Sequence, residues 1–430
     1  MLHVENITVE NDLCTSCGIC EAVCPKKCIG FRRSGGQYVP QVDEGKCIDC
    51  GICLEICPGY KVDLSKLYEQ EGQKIPENVY VGNYMNCYTA YAIDDIIRNN
   101  GVSGGCITSI VKELLDNEKY DSAFLVDSYK YNKFIMTRLY KRDESLSRTS
   151  KSRYVPISHA NMIKYILKNR KTKVIIVATS CSVQGFLNVI SKFNLNRENY
   201  LILGLFCDKT MSYNVFEYFD NYGKSNLEAL LFRTKEKGGW PGQVKLEYES
   251  GDVTYLPARE RMIVKDYFQL ERCMYCIDKL NQFADISFGD NYTGKNATKE
   301  GTNSVIIRTL KGADIWGSVE NVIETKPSSM EDIYKSQHID KRSENYEFAK
   351  LKKTQTNISI YPDDLIEDSA SKKDVSSIMK KKIKRIDLGR DYEKRKAYFH
   401  RRIKRVKIYK NLIRIKKGVK HRIKTILRRI

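Results

Sequence analysis

The sequence lacks three features, and each absence excludes a class of protein. Its first residues, MLHVENITVE, hold neither a basic stretch nor an apolar one, so we expect no secretory signal peptide. No uninterrupted apolar run approaches the roughly 18 residues that a membrane-spanning helix needs. The five histidines form no cluster along the chain, which argues against a mononuclear zinc site. We therefore expect a cytoplasmic protein.

Cysteine is abundant by contrast, with 15 residues in a chain of 430. Without a secretory signal, this number indicates a reducing compartment, where thiols serve metals and redox chemistry rather than disulfides. Eight of the 15 form two copies of the pattern C-x2-C-x2-C-x3-C-P, each ending at a proline. This pattern is the ligand run of bacterial ferredoxins that carry two 4Fe–4S clusters.

The pattern also predicts which thiolates share a cluster, because the fourth cysteine of each run reaches across to the other cluster. The first cluster site is predicted on Cys14, Cys17, Cys20 and Cys57, and the second cluster site on Cys47, Cys50, Cys53 and Cys24. A zinc site would show two C-x2-C pairs with a longer spacer, so it is disfavoured. Three further thiols lack partners at ligand spacing and are expected only to pack: Cys28, Cys87 and Cys106.

Positive charge is concentrated in one segment. The chain carries a net charge of +20, and residues 380–430 hold 23 of its 73 basic residues but only three of its 53 acidic ones. The rest of the chain is therefore formally neutral, and the basic character belongs to a C-terminal tail. Such asymmetry marks an interaction segment.

The end of the tail also has an apolar stripe. Aliphatic residues recur at steps of three and four from Ile408 to Ile430, with Lys and Arg on the other faces. A basic amphipathic helix of this kind lies on anionic membrane surfaces, so we expect 380–430 to place the protein at the inner face of the membrane. An acidic protein partner is the alternative, and nucleic acid is the least favoured.

Between the cysteine runs and the tail, short β-rich runs alternate with helical stretches. Strands are predicted at 123–126, 174–177, 201–206, 244–248 and 305–309, and helices at 107–117 and 161–167. The predicted fold is α+β or α/β: a small bacterial-type ferredoxin domain, then an α/β flavin- and iron–sulfur-binding domain, then a basic helical tail. The predicted boundaries are 1–65 for the ferredoxin domain, 66–80 for a polar linker, 80–325 for the core, 326–379 for a polar surface segment and 380–430 for the tail.

Four cysteines of the core stand where ligands collect in α/β domains. Cys181 and Cys207 follow the apolar runs VIIVAT and LILGLF, and ligands bind beyond the carboxyl ends of such strands. Cys273 and Cys276 form a C-x2-C pair. Four thiolates suffice for one 4Fe–4S cluster or one tetrahedral zinc, although buried structural thiols are an equally simple interpretation.

The core resembles the family of the coenzyme F-420 hydrogenase/dehydrogenase beta subunit. The motifs that carry the resemblance occur in the family's order: VSGGCITSIVKELL at 102–115, SRYVP at 152–156, ATSCSVQGFL at 178–187, GLFC at 204–207, FRTKEKGGW at 232–240, CMYCID at 273–278, ADISFGD at 284–290 and GTNSVIIRT at 301–309. The resemblance implies FAD and a third 4Fe–4S cluster on Cys181, Cys207, Cys273 and Cys276. Two departures are Ser180–Ser182 around the first core cysteine and Arg153 in place of the family's lysine.

The flavin is expected at a glycine-rich turn before the first core helix. Ser103, Gly104 and Gly105 let backbone N–H groups approach a phosphate at a helix N-terminus, and Thr108 adds a hydroxyl. Arg153, Arg233 and Lys235 are further candidates for contacts to the phosphate or the flavin edge. Trp240, Asp278 and Asp290 are weaker candidates, because packing or helix capping explains them equally well.

These features together predict an iron–sulfur flavoprotein oxidoreductase. It would pass electrons between the clusters and FAD to an organic substrate or a deazaflavin-type coenzyme, with a redox partner or ferredoxin-like donor at the other end. The alternative is an electron-transfer subunit that serves a partner enzyme and has no substrate of its own.

Overall fold

The computed structural model describes residues 2–126, 134–362, 365 and 374–427, and the side chains of 413–427 are not described. The strands are β1 Ile29–Ser34, β2 Gln37–Val42, β3 Asn86–Ala92, β4 Ser122–Leu125, β5 Arg138–Tyr140, β6 Val174–Thr179, β7 Tyr200–Leu205, β8 Leu227–Thr234, β9 Gln243–Tyr248, β10 Val253–Leu256, β11 Ile286–Asp290, β12 Asn303–Ile307 and β13 Ile323–Pro327. The helices are α1 Ile19–Val23, α2 Ile52–Glu55, α3 Leu64–Gln70, α4 Asp95–Asn100, α5 Cys106–Asp116, α6 Ala160–Lys168, α7 Ser180–Lys192, α8 Asn214–Asp220, α9 Ala258–Phe268, α10 Leu310–Gly317, α11 Met330–Ser336, α12 Arg342–Thr356, α13 Val375–Arg390 and α14 Tyr392–Leu427.

An eight-stranded mixed sheet forms the centre of the molecule, in the order β13-β3-β12-β11-β7-β6-β4-β5. The four strands β11, β7, β6 and β4 run parallel, and the outer strands pair antiparallel. Neighbouring parallel strands bring their carboxyl ends to one edge, which is where ligands bind in such sheets. The α/β core that the sequence predicts is confirmed.

Two hydrophobic layers cover the two faces of this sheet. Alternate residues of a strand point to opposite faces, so Val174 and Ile176 of β6 pack with α6, α7 and the ferredoxin domain, whereas Ile175 packs with α5 and α10. Because both faces are buried, β6 and β7 are continuous apolar runs, and this is why the sequence predicts them well.

The ferredoxin domain consists of the β1–β2 hairpin and the short helices α1 and α2, and it shares a hydrophobic core with the main sheet. Leu13, Ile19 and Ile56 belong to the same buried cluster as Phe186 of α7. At Gly185 of α7 the packing is so close that a Cβ atom would lie 2.7 Å from Ile19 Cδ1. The two parts are therefore joined by a packed interface.

The expected linker at 66–80 begins as a helix, which corrects that prediction. Helix α3 (Leu64–Gln70) is capped by Asp63 and buries Leu64, Leu67 and Tyr68. The polar letters of this segment lie on its solvent side, and its apolar residues were too few to reveal the helix by pattern.

A three-stranded sheet, β10-β9-β8, carries a further hydrophobic cluster against α8, α9 and the start of the basic tail. Leu388, Tyr392, Phe399 and Ile403 of the tail are buried in it. The tail thus packs on the body as far as about Lys407, which pairs with Glu260. None of the helices in the described ranges has the length and apolar character needed to cross a membrane.

Candidate iron–sulfur and flavin site

The four cysteines predicted for the second cluster site line one cavity. Cys24, Cys47, Cys50 and Cys53 surround about 400 Å3 of empty space, together with His3 and Cys28. Gly51 has a φ of +71° at the start of α2, a left-handed conformation that suits glycine and turns the loop around the cavity. Cys50 is exposed, so this site lies at the protein surface.

The first cluster site is deeper. Burial raises the pKa of Cys17 to about 11, and the neighbouring Cys57 thiolate raises it further in the same direction. Burial, followed by the charges of Cys17, Cys57 and Cys14, likewise raises the pKa of Cys20. Four buried thiols that disfavour one another's ionisation are stable as thiolates only beside a cation, so this donor set fits an iron–sulfur cluster.

The core cysteines converge in the same way from three elements. Cys181 lies in the first turn of α7 after β6, Cys207 follows the adjacent strand β7, and Cys273 and Cys276 lie on the loop after α9. Burial, then the charges of Cys273, Cys181 and Cys276, raises the pKa of Cys207. Burial and Cys273 raise the pKa of Cys181 to about 11. Sequence spacing alone could not show this convergence, but the structure brings all four together.

Within the described ranges, no three His, Cys, Asp or Glu side chains converge closely enough to hold a single metal ion, as a mononuclear zinc site requires.

The core cysteines lie next to the ferredoxin domain. Arg272, beside Cys273, donates from Nε to the Gly59 carbonyl at 3.1 Å and from Nη2 to the Pro58 carbonyl at 3.0 Å, directly after Cys57. The His159 N–H donates to the Cys17 carbonyl at 2.8 Å. The Cys17 and Cys181 thiols are close enough for their charges to interact. These contacts hold the first cluster site beside the core cysteines.

A large cleft opens on the other side of the core cysteines, at the carboxyl ends of the parallel strands. Its empty space, including the part open to solvent, is about 1690 Å3. Cys181 and Cys207 line it, as does Thr15 of the ferredoxin domain. The glycine-rich turn and the first turn of α5 form a second wall, through Ser103, Gly105 and Thr108.

The turn is shaped by close approach at one glycine and by a left-handed residue at the next. A Cβ at Gly104 would lie 2.6 Å from the Ala90 carbonyl oxygen and 2.7 Å from Asn303 Oδ1, and Gly105 has a φ of +81°. The first N–H groups of a helix have no partner within it, so the start of α5 presents donors to the cleft. Asn303 also lines the cleft, and its Oδ1 is buried without a hydrogen-bond partner among the described atoms. These groups fit a ligand that carries both a diphosphate and hydrogen-bond donors, as FAD does.

The predicted basic contacts are placed differently from one another. Arg153 and Arg233 line the cleft, but Gly104 and Lys235 are absent from the described residues that line it. The Lys235 ammonium instead donates to three backbone carbonyls around the turn, among them that of Ser103 at 2.9 Å. Lys235 therefore braces the glycine-rich turn from behind.

Arg233 is tied to an acidic partner inside the cleft. Its Nη2 lies 2.9 Å from Asp290 Oδ1, and Trp240 Nε1 donates to the same oxygen at 2.8 Å. Burial alone would raise the pKa of Asp290, but the guanidinium holds it below its usual value. Asp278 is buried elsewhere, against Gln184 and the Gln282 N–H, and burial raises its pKa.

Some residues that line the cleft gave no sequence signal. Tyr154, His159, Lys209 and Lys265 all lie in its wall. Tyr154 stands inside the SRYVP motif, which marked its neighbour Arg153, but a single lysine on a helix gives no pattern. Burial lowers the pKa of His159 to about 4, so this side chain is neutral near pH 7.

Comparison with known proteins identifies similar families over most of the chain. Residues 87–164 match the model "Coenzyme F420 hydrogenase/dehydrogenase, beta subunit N-term", and residues 171–331 match the model of the same subunit's C terminus. Residues 13–62 match a 4Fe-4S dicluster domain. The two beta-subunit models together span more than half of the 430 residues.

Three relatives are similar at low identity. A coenzyme F420-dependent sulfite reductase of Methanocaldococcus jannaschii is 25% identical across 80% of this chain, which spans only 53% of that protein's length. The coenzyme F420 hydrogenase subunit beta of Methanosarcina barkeri is 22% identical across 58% of this chain and 84% of its own. A subunit of the F(420)H(2) dehydrogenase of Methanosarcina mazei is 22% identical across 74% and 85%.

A solved structure has a similar fold. A chain of the F420-reducing [NiFe] hydrogenase complex from Methanosarcina barkeri superposes with a TM-score of 0.50 at 20% identity. The match covers 66% of this chain and 98% of that one.

Proposed function

The chain belongs to the family of the coenzyme F420 hydrogenase/dehydrogenase beta subunit and carries a 4Fe-4S dicluster domain, and on this basis we propose that it is an iron–sulfur flavoprotein oxidoreductase. One observation carries the proposal: a single cleft is lined both by the glycine-rich turn at the start of α5 and by Cys181 and Cys207 of the core. A flavin held by that turn would lie beside a cluster held by those cysteines.

The proposed cofactors are two 4Fe–4S clusters in the ferredoxin domain, a third on the core cysteines, and FAD. The flavin supplies exchange between one-electron and two-electron chemistry when bound. The chain's own residues position it: the start of α5 offers N–H donors and the positive end of the helix dipole to the diphosphate. Lys235 fixes the Ser103 carbonyl, and Arg153 adds positive charge in the wall.

The positions of the cysteines also support an order of electron transfer. The second cluster site is at the surface, and its Cys53 is close enough to Cys20 of the first site for their charges to interact. The first site in turn neighbours Cys181, which borders the cleft. We propose that a ferredoxin-like donor exchanges electrons at the second site and an organic substrate or deazaflavin-type coenzyme exchanges them at the flavin.

Cofactor content is the direct test. Protein purified without oxygen should hold about twelve iron atoms, at four per cluster, and one FAD. About eight iron atoms would remove the core cluster from the proposal, and zinc in place of the last four would end the electron-transfer role of the core cysteines.

A second candidate function is an electron-transfer subunit that has no substrate of its own. Two of the similar proteins are named as subunits, and the exposed Ile48 beside Cys50 gives an apolar surface next to the second cluster site. Isolated protein that oxidises a donor with an added organic or deazaflavin acceptor would favour the enzyme. Activity only after a partner protein is added would favour the subunit.

A further inference from the structure

The second cluster site is surrounded by five thiols, although a 4Fe–4S cluster takes four. Besides the four predicted ligands, Cys28 lines the same cavity. It is only 6% exposed, and its Sγ lies 3.3 Å from Cys24 Sγ. Its charge also interacts with that of Cys47. The expectation that Cys28 has no partner and only packs is therefore wrong.

A tight turn brings Cys28 back to Cys24. The Lys27 N–H donates to the Cys24 carbonyl at 3.1 Å, and Lys27 adopts a φ of +50°. The Asp43 N–H donates to the Cys28 carbonyl at 2.8 Å, which anchors Cys28 at the start of the β1–β2 hairpin. Four residues of separation did not suggest this contact, because the left-handed conformation at a lysine is not evident from sequence.

The duplicated half of the domain has no such thiol. The residue four positions after Cys57 is Lys61, which is exposed. Nothing in the cysteine pattern itself requires a thiol at this offset, so the fifth thiol is specific to the site at the surface.

We propose that Cys28 is a reserve ligand of the second cluster and takes the place of Cys24 on iron. The proposal rests on the ligand assignment given under the proposed function. In the exchange one iron–sulfur bond to Cys24 breaks and one to Cys28 forms. Cys28 gives its proton to solvent, Cys24 takes one up, and no electron is transferred. A cluster near solvent would thereby be retained when its half-exposed crossing ligand dissociates.

Alanine variants test the exchange, because alanine cannot ligate iron. Cys24→Ala should keep about twelve iron atoms per chain, whereas Cys24→Ala with Cys28→Ala should fall to about eight. Cys57→Ala is the matched control, since its offset residue is a lysine, and it should also fall to about eight. Electron paramagnetic resonance of the reduced protein should still show the second cluster in Cys24→Ala, with an altered signal.

Equal iron loss in Cys24→Ala and in the double variant would overturn the proposal, as would full iron in both. The iron content of the unaltered protein tests the proposed function separately, because it does not depend on which thiol is used.

A second measurement avoids any variant that lacks a primary ligand. Cys28→Ala keeps all four predicted ligands, but a chelator should remove iron from its second cluster several-fold faster than from the unaltered protein. Cys87→Ala, a buried thiol on β3 outside the cluster cavities, should release iron at the unaltered rate. Equal rates for Cys28→Ala and the unaltered protein would contradict the reserve role.

Discussion

At the scale of single residues, the flavin proposal depends on the close approach at Gly104. A Cβ there would overlap the Ala90 carbonyl oxygen and Asn303 Oδ1, so the turn must move away from β3 and β12. Gly104→Ala should cost about 1–3 kcal/mol of stability and weaken FAD binding by about tenfold or more. Thermal unfolding and a flavin titration measure both effects.

Gly317→Ala is the matched control, because nothing lies within 4 Å of a Cβ at the end of α10. It should bind FAD normally and gain up to ~1 kcal/mol of stability. Normal FAD affinity in Gly104→Ala would show that the turn does not hold the flavin.

Lys235 gives a pH dependence whose sign follows from its surroundings. Burial, and then the charges of Lys151, Arg98 and Arg233, lowers its pKa to about 8. The folded protein thus loses this proton before the unfolded chain does, so the resulting loss of stability is present below pH 8 and disappears as the pH rises toward 10.5. A bound diphosphate has the opposite effect, because it favours the charged ammonium.

FAD affinity should therefore fall as the pH rises through about 8, measured by flavin fluorescence. Lys235→Arg keeps its charge throughout and should remove this dependence. The same fall in the arginine variant would assign the pH effect to another group.

At the scale of elements, the basic tail is partly a structural element of the body. Phe399 of α14 is fully buried against Tyr392 and Phe268, whereas its neighbour Tyr398 is 51% exposed. Phe399→Ala should cost about 3–5 kcal/mol in denaturant unfolding. Tyr398→Ala should stay within about 0.5 kcal/mol of the unaltered protein. Similar small costs for both would mean that the tail is not packed on the body.

The elements also show how far sequence patterns reach. Strands β4, β6 and β7 were predicted because parallel strands buried on both faces are continuous apolar runs. Strand β3, with the sequence NCYTAYA, was missed because its small, polar and aromatic residues follow no simple alternation. The packed half of the tail was missed because its many charges hide a few buried aromatic residues, whose burial depends on the distant strands β8 and β9.

The candidate site was predictable to a similar extent. Cysteine spacing indicated which thiols share the ferredoxin sites, and the position of Cys181 and Cys207 after apolar runs indicated a common site in the core. Lys235 and Cys28 could not be placed this way. The first acts through carbonyls far away in sequence, and the second through a turn with an unusual conformation at Lys27.

At the scale of the whole molecule, the membrane proposal concerns the end of the tail. Ile408, Tyr409 and Leu412 are exposed, and the rest of the apolar stripe, from Ile415 onward, lies outside the described side chains. A chain ending at residue 410 keeps the packed part, so it should retain its clusters and flavin. The full chain should bind vesicles with anionic lipid, and the shortened chain should bind them much less.

Salt should weaken this binding without abolishing it, because the Debye length is already about 10 Å at 0.1 M while apolar insertion is not screened. Equal binding to neutral and anionic vesicles would remove the electrostatic part of the proposal. An absence of vesicle binding at low salt would favour an acidic protein partner for the tail.

The central claim is that electrons pass between the ferredoxin domain and the flavin through the core cysteines. The most direct measurement is stopped-flow reduction of the protein by a ferredoxin-like donor, with clusters and flavin followed at separate wavelengths. In the unaltered protein both should be reduced. In a chain with Cys181→Ala and Cys276→Ala, the ferredoxin clusters should still be reduced, while the bound flavin stays oxidised or is reduced at least about a hundredfold more slowly, a difference of about 2.7 kcal/mol in barrier. Flavin reduction at the unaltered rate in that variant would contradict the account.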